Sequence, residues 1–140
     1  MAVFLNNKVG FKIATVNLSD HVTSFTLNRV VDAIEISAMG DTAHKFAAGL
    51  ASDTITVSFL NDTATGSVLQ TLQSAFGSTV AFQAIQDSSA AVSATNVLYS
   101  GTIFVDNLTD INGAVADEAM IDITFTCNSK TAYATTGTWS

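Results

Sequence analysis

A chain of 140 residues, 48% hydrophobic and 12% charged, has the length of one domain and too much apolar material to stay disordered. Twelve acids against five bases, a net charge of −7, exclude a phosphate-binding surface, which needs clustered Lys and Arg; the single Cys127 excludes an intramolecular disulfide framework. No apolar run approaches the ~20 residues of a membrane helix, and the start, Met1 to Lys8, lacks the basic-then-apolar order of a signal peptide.

Along the chain, apolar residues alternate at period two, the mark of half-buried strands. A first strand is expected around Gly10 to Val16. Phe25, Leu27 and Arg29 share one face of the next, with Thr26 and Asn28 opposite. From Val30 to Ile36 the parity changes, which predicts a bulge or bend near Val30-Val31-Asp32. Ile55, Val57 and Phe59 form a further strand, as do Val80, Phe82 and Ala84, and then Val97 to Val105. Ile121, Ile123, Phe125 and Cys127, alternating with Asp122, Thr124 and Thr126, give the cleanest pattern, for about seven strands in all.

One segment reads as helix. Over residues 67–76, Val68, Leu69, Leu72, Ala75 and Phe76 form one stripe; Ser67 with Gln70 matches a capping box, and Gly77 stands where a left-handed cap would end it. A weaker helical turn is expected from Asp41 to Phe46, and Asn112-Gly113 is a tight-turn signal. The polar tail, 129–140, has no alternation and is expected to be frayed or held by a partner. The fold class is therefore mainly β: an antiparallel β-sandwich or partial barrel over 10–128, with one flanking α-helix. Residues 37–53, rich in Ala and Gly, form a long protruding loop. The whole of 1–140 is one domain.

Nothing in this pattern carries chemistry. His21 and His44 are far apart, with no HxH, HxxxH or HExxH pairing, and Asp41 with His44 reads as a surface pair. Around Asp110-Ile111-Asn112-Gly113, a calcium loop would need Leu108 as its first ligand. Cys127 falls on an apolar strand face, where a thiol is buried and inert. There is no nucleophile elbow and no glycine-rich phosphate loop. No enzyme, metal or cofactor is expected. A charged fraction half the usual ~25% leaves an exterior of Ser, Thr, Asn and Ala, cheap to desolvate and suited to burial against other copies.

The stretch from Asp32 through Met39-Gly40-Asp41-Thr42-Ala43 and Phe46-Ala47-Ala48-Gly49-Leu50, followed by Asp53 to Asp62, carries a resemblance. So do Gly66-Ser67, Phe76 to Val80, and Ser93 to Asn96 ahead of Tyr99-Ser100-Gly101. Together they resemble the tail tube (major tail) proteins of long, non-contractile-tailed bacteriophages, over most of residues 12–128. The tail departs from that pattern, and no appended immunoglobulin-type domain is present.

The resemblance implies a structural virion protein of the phage tail, made in the host cytoplasm. Its subunits would form hexameric rings stacked into a tube, the conduit for genomic DNA, which passes without specific binding. Tape-measure, tail-terminator and tail-tip proteins are the implied further partners, with no membrane. By position the inter-subunit loop would carry Met39, Gly40, Asp41, Thr42, His44, Phe46, Gly49 and Leu50. Acids facing the lumen would be Asp117, Glu118 and Asp122. The competing reading is a monomeric β-sandwich adhesin or carbohydrate-binding module. It would need an exposed aromatic platform, whereas Tyr133 and Trp139 lie in the tail and Tyr99 reads as core.

Overall fold

The computed structural model describes residues 8–113, 115 and 119–139. Its strands in chain order are β1 (Gly10–Ile13), β2 (Val16–Asn17), β3 (Val22–Asn28), β4 (Val31–Glu35), β5 (Phe46–Ala51) and β6 (Thr54–Leu60). After the helix α1 (Val68–Ala75) follow β7 (Thr79–Ile85), β8 (Leu98–Phe104), β9 (Met120–Cys127) and β10 (Ala132–Ala134).

The larger sheet runs β2-β1-β7-β8-β9-β6-β3, with β10 added beside β8, and every pairing is antiparallel. Its two halves meet only where Ile103 faces Cys127 and Phe104 faces Thr126. At that corner the sheet folds over, bringing Phe11 of β1 within 5.0 Å of the Phe25 ring on β3 and 6.1 Å of Phe59 on β6. The result is an open sandwich and not a closed barrel: among the described residues β2 and β3 end the sheet.

The alternation read from sequence sets the register. Ile55 lies opposite Phe125, Val57 opposite Ile123 and Phe59 opposite Ile121, all buried, while Thr56–Thr124 and Ser58–Asp122 face outward. Cross-strand apolar pairs of this kind are the stabilising unit of a sheet. A one-residue slip would turn the whole set to solvent. Helix α1 closes the core with Val68, Leu72 and Ala75.

Several local expectations are corrected. Helix α1 is one residue shorter at each end than 67–76, and no capping box forms. Ser67 Oγ instead donates to Asp62 Oδ2 at 2.8 Å, and Asp62 Oδ1 accepts from the Ala64 amide at 2.9 Å. An aspartate turn upstream thus organises the helix start. Gly77 does take the left-handed conformation, at φ +79°. No helical turn forms over Asp41 to Phe46, since Phe46 opens β5. Among the described residues no strand flanks Asn112-Gly113, which lies between β8 and β9.

The tail is not frayed. Tyr133 pairs with Tyr99 across β10 and β8, and the Ser129 hydroxyl accepts from the Thr102 amide at 3.1 Å. Lys12 Nζ stands 4.7 Å over the Trp139 ring, and the Arg29 guanidinium 5.7 Å from that of Tyr133. Two of the five bases therefore stack on the tail's two aromatic rings, contacts with no local sequence pattern.

Candidate assembly surface

Strands β4 and β5 form a separate two-stranded ribbon that leaves the sandwich. Residues 37–53 were expected as loop, yet β5 occupies Phe46–Ala51 and its partner β4 lies upstream of that segment. Ile34 faces Ala47, Ala33 faces Ala48 and Glu35 faces Phe46. The register shifts between Val31 and Ala33, which places the expected bulge at the ribbon's base. Every residue of β4 is exposed, and β5 buries no side chain.

Gly49 fits the bulge for a steric reason. A Cβ there would come within 3.0 Å of Asp32 Cβ and Ile34 Cδ1, and 3.2 Å of the Asp32 carbonyl. At the far end, Ala38 to Asp41 closes a turn: the Asp41 amide donates to the Ala38 carbonyl at 3.1 Å, and the Ala38 amide to Asp41 Oδ2 at 2.7 Å. Gly40 supplies the positive φ, +91°. Lys45 Nζ meets Asp41 Oδ1 at 2.8 Å. The Ala38 amide first, and Lys45 second, hold the Asp41 carboxyl below its ordinary pKa. His44 Nδ1 bonds Glu35 Oε2 at 2.8 Å, with its ring 6.5 Å from that of Phe46.

All eight residues expected on the inter-subunit loop thus sit on one element. Met39 is fully exposed at the tip, Leu50 is 80% exposed and Phe46 59%; Thr42 is also exposed. Val31, Ile34 and Ile36 are exposed on the same ribbon, Ile34 and Ile36 on the face opposite Phe46. The sequence pattern carried no sign of this, because the run from Val30 to Ile36 reads as a sandwich strand. A lone two-stranded hairpin is marginal in water. By register Phe46 shares a face with Glu35 while Ile34 and Ile36 share the other, so large apolar side chains stand exposed on both faces of the ribbon, with Met39 at its tip. Exposed apolar surface of this kind marks an interaction site.

Of the expected lumen acids, Asp122 stands on the exposed polar face of β9, opposite Ser58, apart from the ribbon. Asp117 and Glu118 lie outside the described residues.

Elsewhere the chemistry is structural. Ser67 Oγ and His21 Nε2 both bond Asp62 Oδ2, at 2.8 and 3.0 Å, so the histidine is turned onto the acid and not onto the hydroxyl it would have to activate. Burial first, and the Asp53 charge as well, push the half-buried Cys127 thiol above its ordinary pKa. No cluster of three or more potential metal ligands occurs among the described residues. An open cleft of about 1020 Å³ runs between β3 and the β7–β8 end; Arg29 is the one charge among its described lining residues.

Solved structures with this arrangement include two tails and a virion. The SPP1 tail tube, determined by solid-state NMR and cryo-EM, matches at a TM-score of 0.74 and 10% identity, over 94% of this chain and 78% of that one. This chain has the tail-tube fold. The virion of a native gene transfer agent matches at a TM-score of 0.72 and 10% identity, over 94% and 99% of the two chains. The tail of an empty gene transfer agent particle, refined helically with C6 symmetry, matches at 0.66 and 12% identity, over 81% and 82%. No family model and no curated protein matches the sequence. At such low identity, what is shared is the tail-tube fold itself.

Proposed function

We propose that this chain is a structural subunit of a phage tail, assembling with copies of itself into stacked hexameric rings that form a DNA-conducting tube. The observation that carries the reading is the ribbon: an apolar element held outside the core of a chain with the tail-tube fold. Burying such side chains in a neighbour is worth roughly 1.5–3 kcal/mol each. The outer edge of β3, which pairs with no strand among the described residues, supports closure into a ring, since an exposed edge invites pairing until it is covered. Six-fold rings follow the C6 symmetry of the gene transfer agent tail. The tape-measure, tail-terminator and tail-tip proteins are the partners a tube of this kind meets at its lumen and ends. The role is non-enzymatic.

Negative-stain electron microscopy of the purified protein at increasing concentration tests this. Rings or rods with an open lumen are expected. Monomers alone at every concentration, with or without a tail-tip partner, overturn the assembly reading, and glycan capture by such a monomer would favour the adhesin.

A further inference from the structure

The ribbon leaves the sandwich at two roots, Arg29-Val30 between β3 and β4 and Ser52-Asp53 between β5 and β6. The Ser52 amide donates to the Val30 carbonyl at 2.7 Å and ties the roots together. Asp53 is only 3% exposed, and its carboxylate divides between two partners. Oδ1 accepts from the Val30 amide at 3.1 Å, on the opposite root; Oδ2 accepts from the Thr131 amide at 2.8 Å, where the C-terminal segment enters β10. The Asp53 carbonyl accepts from the Cys127 amide at 3.0 Å, at the end of β9. Beside this joint, Arg29 of the first root stacks on Tyr133 of β10. The C-terminal segment is thus attached to the base of the ribbon by one buried carboxylate and one cation–π contact.

We propose that Asp53 is a positioning residue that couples the C-terminal segment to the ribbon, so that lifting β10 from β8 loosens the ribbon's root. A carboxylate accepting two amides from chain segments 101 residues apart holds both or, once one departs, is left buried and under-satisfied. Such a joint gives the two segments a shared equilibrium, which is the physical content of coupling. Tyr133 is 63% exposed, so a neighbouring molecule can reach the segment that controls the joint. The consequence for assembly rests on the proposed role of the ribbon; the coupling itself does not.

Amide hydrogen exchange on the full-length protein, kept dilute and unassembled, tests the joint. Reporters are the Val30, Ser52 and Ile36 amides in and beside the ribbon, with the β6–β9 ladder as the control for global unfolding. Thr131→Pro deletes the donor on the tail side and alters no residue of either root. It is expected to speed exchange at Val30 and Ser52 by about tenfold or more while the control ladder keeps its protection. Asp53→Asn should do the same at Val30, Ser52 and Thr131. Where Thr131→Pro also unprotects the ladder, Tyr133→Leu decides, since it removes only the stacking. Unchanged Val30 and Ser52 with faster β10 amides overturn the proposal, as does an equal rise at every amide in all three variants. Failure of the unaltered protein to polymerise would sink the tube reading and leave the coupling standing; unchanged root amides would do the reverse.

Discussion

Gly10 opens β1 with no room for a side chain: a Cβ there would stand 2.6 Å from Trp139 Cζ2, 2.9 Å from Ser88 Cβ and 3.0 Å from Ile85 Cγ2. The indole lies against this bare backbone and under the Lys12 ammonium. Gly10→Val must therefore expel the ring or shift the strand, at a cost of roughly 1–3 kcal/mol for an overpacked site. The chain has a single tryptophan, so emission reports that site alone. A red-shifted maximum and faster acrylamide quenching are expected with the β-sheet circular dichroism retained; an unshifted maximum would show the contact to be dispensable. Acid stability is also set residue by residue. Burial raises the Asp53 carboxyl, but the Thr131 and Val30 amides and the Arg29 charge outweigh it and hold the pKa below the ordinary 3.8. The Ala64 amide and the Ser67 hydroxyl do the same for Asp62. A carboxyl depressed in the fold contributes stability that is complete above its unfolded value and is lost as pH falls through its folded one. Thermal melts should be flat above about pH 5 and fall progressively below 3.8, with Asp53→Asn showing a shallower acid decline. An equally steep decline in that variant would remove Asp53 from the account.

At the scale of elements, the ribbon and the sandwich hang together through very different forces. The sandwich buries Phe11, Phe59, Phe82 and Phe125 completely, whereas β4 and β5 bury no side chain. Deleting residues 38–50 removes the turn and most of β5 without touching a core residue. A folded monomer is expected, with its melting temperature within a few degrees of the full chain, consistent with a change of about 1 kcal/mol or less, but with no rods by electron microscopy. Loss of the cooperative melt would instead make the segment part of the folding unit. The same contrast explains what could be read from sequence. β6 and β9 were legible because each has one wet and one dry face, and burial on one face writes period two into the chain. β5 was not, because Phe46-Ala47-Ala48-Gly49-Leu50-Ala51 is exposed on both faces and nothing selects alternation. The residues of the candidate surface were found through resemblance; Val31, Ile34 and Ile36 had the right pattern but no signal of which sheet they joined. β10 was illegible for a third reason. Three residues are too few for a period, and their partners are distant in the chain: β8 beside them, and Asp53, 78 positions upstream of Thr131.

At the scale of the whole molecule, low charge and acidic excess have separate roles in the proposed tube. Few ions make the exterior inexpensive to desolvate over several contacts, since neutral hydroxyls and methyls cost less to bury than charges. The surviving excess sets the field around the assembly: six copies at −7 give 6 × −7 = −42 on a ring. Any part of that field facing a lumen repels phosphate and keeps DNA from sticking as it slides. Asp122 is the described candidate for that role, exposed on the polar face of β9 opposite Ser58. Asp122→Lys moves the ring by +2 per copy, to 6 × −5 = −30, and plants six cations on one circle. If that circle faces the lumen, each cation becomes a phosphate contact, and such contacts strengthen as salt falls. Particles built with Asp122→Lys should show tubes of normal length and diameter but slower genome ejection, with the delay shrinking as ionic strength rises. Glu at the same position should eject at the normal rate. Normal ejection by the lysine variant at low salt would place Asp122 on the outer wall and make its charge irrelevant to passage.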